Sequence, residues 1–144
     1  MSLIDQISAT HLIGVAVGAG LGAVCRGWLD RAVIRRHGLT LLPWATLTVN
    51  IVGSLILGGI MGWSAEVVAP GSARADLADL ATTMELVIGI GFAGGLTTFS
   101  TFSWESFSLV REGRTRSMLS YAALTIGLTL VAVVLGVAIG RALV

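Results

Sequence analysis

The 144-residue sequence contains no lysine, one cysteine, two prolines and only 12% charged residues. Soluble domains carry about a quarter charged residues, so a chain with half that share is not built to face water. A single thiol, Cys25, excludes an internal disulfide and says nothing about redox compartment. The formal net charge of +1 gives no reason to expect nucleic acid as a partner. His11 and His37 lie in or near expected loops, with no Asp–Ser or Cys partners at workable spacing. No cluster of metal-ligating side chains is present either, so the sequence does not read as an enzyme. The N-terminus carries Asp5 and no basic region, which predicts that the first apolar stretch stays as a helix and is not a cleaved signal.

What the chain does have is apolarity, at 55% hydrophobic residues and a mean hydropathy of +0.91, together with 19 glycines. A membrane span needs roughly 20 apolar residues. Four stretches qualify, at about 12–28, 44–63, 80–109 and 117–143, and they predict a single all-α transmembrane domain over 1–144 with no room for a soluble one. Gly14, Gly18 and Gly22 recur every four residues and predict a close-packing face on the first span. Trp28, Trp44, Trp63 and Trp104 fall near span ends, where an aromatic belt places them. The first connection (Asp30–Pro43) and the short third one hold six arginines: Arg31, Arg35, Arg36, Arg111, Arg114 and Arg116. The opposite side, made by the termini and the Ser64–Asp79 connection, holds Arg74 and Arg141. The positive-inside rule then puts the first and third connections in the cytoplasm and both termini outside.

The third stretch is too long for one uninterrupted span, and its middle reads GFAGGLTTFSTFSWE. Gly94-Gly95 followed by Thr97-Thr98 predicts a broken helix at 94–98, tolerable in lipid only where protein or a water-filled path surrounds it. The alternative is a glycine packing notch in a continuous helix, with hydroxyls bonding back to the preceding turn. A break frees carbonyl oxygens, which suit a hard alkali cation. Phe99 and Phe102, three apart, share a face. They are either ordinary lipid or core aromatics, or ring edges whose positive rim lines a path for a small anion. Ser100, Thr101 and Ser103 interleave them as hydrogen-bond donors. Asn50, inside the second span, either glues helices together or lines a pathway. Tyr121, Thr125 and Thr129 form a polar stripe on the fourth span, ended by Val133. Arg26 at the inner end of the first span either snorkels or draws anions to a pore mouth, and Glu105 sits one turn past Phe102.

Hydroxyls, one amide and two phenyl rings, without a deep charge, suit passive passage of a small ion better than proton-coupled pumping. A four-helix multidrug or cation transporter of the dual-topology type relies on an acid in its first span, and Leu12 to Cys25 contains none. A non-transporting assembly subunit leaves the aligned polar stripes unexplained.

The GFAGGLTTFSTFSWE run closely resembles the signature of the small fluoride channels called Fluc or CrcB. GAGLGAVCRGWL and PWATLTVNIVGSLILG are similar to that family's first and second spans, so the likeness covers the whole chain. The resemblance implies an antiparallel dimer in the cytoplasmic membrane that exports fluoride passively through two pathways and so relieves fluoride toxicity. It implies pathway residues at Asn50, Phe99 and Phe102, a polar track at Tyr121, Thr125 and Thr129, and a vestibule arginine at Arg26. It also implies a central structural sodium ion on the backbone carbonyls of Gly94 and Thr97. Val133 departs from the hydroxyl that usually continues the track. The six-to-two arginine bias strains dual insertion, so the second half is either another copy of this chain or an oppositely biased homologous one.

Overall fold

A computed structural model of the protein describes residues 8–37 and 42–144. Asp5 and part of the first connection lie outside the described residues. Four helical rods are long and apolar enough to cross a membrane: Ala9–Arg36, Trp44–Val67, Ala78–Arg111 and Thr115–Ala142. Helix α1 (Ala9–His37) and helix α2 (Trp44–Val67) form the first and second spans. The third span opens with a 3₁₀ turn, Ala75–Leu77, and continues as α3 (Ala78–Met84). It then runs through a π-helical stretch, Glu85–Ala93, and a last turn, α4 (Gly94–Leu96). Two residues later α5 (Phe99–Arg111) carries it to its end, and α6 (Thr115–Ala142) is the fourth span.

The spans are longer than the sequence pattern indicates. α1 does not stop near Trp28 but carries Arg31, Arg35 and Arg36 on a helix through His37, because no glycine or proline interrupts before Gly38. α2 likewise passes Trp63 and ends at Val67. Hydrophobicity marks only the part of a helix that lipid covers, so the helical ends in the headgroup layer leave no apolar signal.

Two tight seams hold the bundle. α2 lies on α6 in the most extensive interface. There Gly58 and Gly62 meet the backbone of Val133 and Val137, and a methyl group at either position would collide with it. In the other seam α1 lies on the π-helical stretch and α4. Gly18 and Gly22 face the carbonyls of Val87 and Phe92, and Gly95 in return faces Ala19, so the expected glycine stripe is a real contact face. The outer surface is apolar: Leu12, Ile13, Val17 and Leu21 on α1 and Leu130, Val134 and Leu135 on α6 are all more than half exposed. Such a surface is stable only in hydrocarbon, which makes the chain a multi-pass membrane protein.

The interruption in the third span falls inside the expected 94–98 but only in its second half. Gly94 and Gly95 are helical, and the extended residues are Thr97 (φ −75°, ψ 160°) and Thr98 (φ −149°, ψ 121°). The span is joined across them and bends there. Gly95 is used for close approach to α1 rather than for unwinding. Beyond Leu96 the span no longer follows α1; α5 packs on α6 instead.

Candidate functional site

Two extended residues inside a helix leave backbone groups without helical partners, and in a membrane each such group needs another. Thr97 N–H still reaches the Ala93 carbonyl at 3.0 Å, the last bond of the upstream ladder. Thr98 N–H donates instead to Asn50 Oδ1 at 2.8 Å, and Asn50 Nδ2 donates back to the Thr98 carbonyl at 3.2 Å. The Asn50 side chain thus serves Thr98 as a neighbouring strand would. The Thr97 carbonyl accepts from Arg26 Nη1 at 3.1 Å. Downstream, Thr98 Oγ1 caps α5 by accepting from Thr101 N–H at 3.2 Å, and the hydroxyls of Ser100 and Thr101 lie 3.2 and 3.0 Å from it. Ser103 bonds back to the Phe99 carbonyl at 2.9 Å.

Beside the interruption lies an open groove of about 470 Å³. Asn50, Phe99, Phe102, Thr125 and Thr129 line it, along with Gly94 and Thr97, and no lining residue carries a charge. The Thr125 hydroxyl is buried there with no close hydrogen-bond partner, whereas Thr129 Oγ1 bonds back to the Thr125 carbonyl at 2.7 Å. Ser100 and Thr101 sit outside the groove, in the cap at Thr98, and Arg26 stands at the interruption rather than along the groove wall.

The aromatic rings lead out of the groove. Phe99 and Phe102 have centroids 5.8 Å apart, and Phe102 and Tyr121 5.3 Å, both pairs tilted. Tyr121, fully buried, donates its hydroxyl to Glu105 Oε2 at 2.7 Å, and Thr46 donates to Glu105 Oε1 at 2.9 Å. Sequence reasoning left Glu105 unplaced and missed Thr46. The signal was available: Thr46 lies one helical turn before Asn50, on the same face of α2. Glu105, its carboxyl held by two hydroxyls, thus stands beyond the end of the Phe99–Phe102–Tyr121 ring series, outside the residues that line the groove.

Whether the residues could hold a sodium ion turns on the carbonyls of Gly94 and Thr97. The Gly94 carbonyl has lost its helical donor, Thr98 N–H, to Asn50 and accepts only from Thr97 Oγ1 at 3.3 Å. The Thr97 oxygen has two lone pairs, of which Arg26 takes one. Two hard oxygens fit part of an alkali-ion shell and do not by themselves complete one. Among the described residues no group of three or more His, Cys, Asp or Glu side chains could hold a metal.

Four apolar spans, a mid-membrane helix interruption and an uncharged polar groove define a multi-pass membrane protein of the channel or transporter class. The chain belongs to the CrcB-like family (CrcB-like protein, Camphor Resistance), whose model matches residues 13–137. It is 38% identical over 124 residues to a Psychrobacter cryohalolentis protein named fluoride-specific ion channel FluC, covering 86% of this chain and 91% of that one. A protein of the same name from Hahella chejuensis is 37% identical over 135 residues, 94% of this chain and 98% of the relative. One from Citrifermentans bemidjiense is 34% identical over 133 residues, 92% and 98% of the two chains.

Proposed function

We propose that this chain is a fluoride channel, letting the ion leave the cell down its gradient and so limiting fluoride toxicity. The observation that carries the reading is the groove at the interruption: hydrogen-bond donors and phenyl rings, with no charged lining residue. A small anion shedding water needs replacement donors, which Asn50, Thr125 and the positive ring edges of Phe99 and Phe102 offer without holding it as tightly as a buried cation would. That the anion is fluoride rests on the names of the relatives at 34–38% identity. The channel does no covalent chemistry.

The working unit is a pair of chains, a second copy in the opposite orientation or an oppositely biased homologue. Support comes from the open side of the groove. Asn50, Thr98 and Thr125 are buried within the chain. Left against lipid, however, the exposed Gly94, whose carbonyl has lost its helical donor, and the half-buried Thr97 would meet hydrocarbon, which is costly. Phe99 is 79% exposed on that side and awaits a partner surface. Between the two chains, the Gly94 and Thr97 carbonyls of each would hold one structural sodium ion. Reconstituted in liposomes, the protein is expected to release fluoride rapidly and passively while retaining chloride. Release of both ions alike would remove the selectivity, and release of neither would return the chain to a structural role.

A further inference from the structure

The interruption that builds the groove also opens a second cavity on the other side of the bundle. Because α5 turns away to α6 after Leu96, the cytoplasmic half of α1 loses the neighbour that the outer half has. A cleft of about 650 Å³ remains between α1 and α2. Its walls are Leu29 and Ala32 of α1 and Val52 and Ile56 of α2, and Phe92 and Leu96 close it towards the membrane centre. Only two of its lining residues are charged, Arg31 and Arg35, one helical turn apart and therefore on one face.

From Cys25 to Arg35 the cleft follows ten residues of α1, about 15 Å at 1.5 Å per residue. That is roughly half the ~30 Å hydrocarbon core, the depth of one leaflet. Both arginines belong to the arginine-rich end that the positive-inside rule assigns to the cytoplasm, whose leaflet is the one rich in anionic lipid.

We infer that this cleft is a binding site for an anionic phospholipid of the cytoplasmic leaflet, with one acyl chain between α1 and α2 and the phosphate on the Arg31 and Arg35 guanidiniums. The apolar walls match a hydrocarbon chain, and the two forked donors match a phosphate better than a zwitterionic headgroup, whose ammonium they repel. The site is independent of the anion groove, shares none of its lining residues, and stands whether or not the chain conducts fluoride.

The test is native mass spectrometry of the full-length protein extracted from vesicles of equal phosphatidylglycerol and phosphatidylcholine. Two juxtamembrane arginines correspond to an anionic preference of about thirtyfold in retained lipid. Arg31→Gln with Arg35→Gln should abolish that preference, whereas Arg36→Gln, on a residue outside the cleft, should keep it. Ala32→Trp should expel the lipid with both arginines intact, a check that does not depend on the double variant folding. Equal retention of the two lipids would overturn the site, as would equal losses for Arg36→Gln and the double variant, which would mean diffuse surface charge. Loss of a chain–chain complex in the double variant with phosphatidylglycerol still retained would also overturn it, giving the cleft to a second protein chain.

Discussion

At the residue scale the decisive group is Asn50. Of the two uses open to it from sequence, helix glue and pathway lining, the structure shows the first, since its amide pairs with both backbone groups of Thr98; it also lines the groove that we propose as the anion path. Asn50→Ala strands a buried N–H and a buried carbonyl, each costing about 1–3 kcal/mol. We therefore expect lower thermal stability in detergent as well as lower fluoride flux. A drop in flux at unchanged melting temperature would mean that the backbone pairing carries little. Phe99→Ile and Phe102→Ile keep bulk but remove the ring edges. A loss of about 1.4 kcal/mol at the barrier is about tenfold in rate, and we expect at least that from either change, measured as liposome fluoride efflux. Unchanged efflux in both would discard the ring-edge mechanism. Tyr121→Phe removes the hydroxyl on Glu105 Oε2 and tests whether the Thr46–Glu105–Tyr121 cluster contributes to conduction, since the buried ring itself is kept. We expect reduced flux with the helices intact by circular dichroism. The place of Thr46 on the Asn50 face was legible, but its pairing with Glu105 and Tyr121 was not, because the three lie 59 and 16 residues apart along the chain, beyond the reach of any helical period.

At the scale of elements, the expected interruption at 94–98 contains the observed bend at Thr97–Thr98, but the glycines do not unwind. Paired glycines suggest unwinding because they tolerate it. Here Gly95 instead lets α1 approach, and the extended residues are the threonines that Asn50, Arg26 and the α5 cap can satisfy. Helix opening follows the supply of partners more than local flexibility, and the supply is tertiary. The Gly14–Gly18–Gly22 stripe was legible because it needs only a period. Gly22→Val or Gly58→Val places a methyl group on a facing carbonyl, at Phe92 or Val133 respectively. Either is expected to separate its seam and yield aggregated protein on size-exclusion chromatography, whereas Gly20→Val, which meets nothing within 4 Å, should behave as the parent.

At the scale of the whole molecule, four spans and a membrane location followed from composition alone, since hydropathy reports burial in lipid directly. Orientation and pairing are different, because they depend on a second chain and on insertion. With six arginines against two, a C-terminal tag tested for accessibility from each side of the membrane is expected to report one dominant orientation. Equal labelling from both sides would favour pairing with a second copy of the same chain, and a single orientation would favour an oppositely biased homologue. If sodium bridges the pair, replacing it with a larger cation during purification should weaken the complex in native mass spectrometry, and an unchanged complex would argue for assembly by packing alone.

The interruption at Thr97–Thr98 also bears on how the protein is made. The side chains from other spans that satisfy it, Arg26 and Asn50, both precede it in the chain. A ribosome feeding the membrane from the N-terminus therefore delivers these partners first, and the third span arrives with its exposed amides already provided for. The order of the genetic text thus acts as an assembly schedule. A permuted version that begins with the third and fourth spans would present the gap before its partners exist. It should be degraded or mis-inserted at a much higher rate than the natural order, as a pulse-chase comparison of the two would reveal.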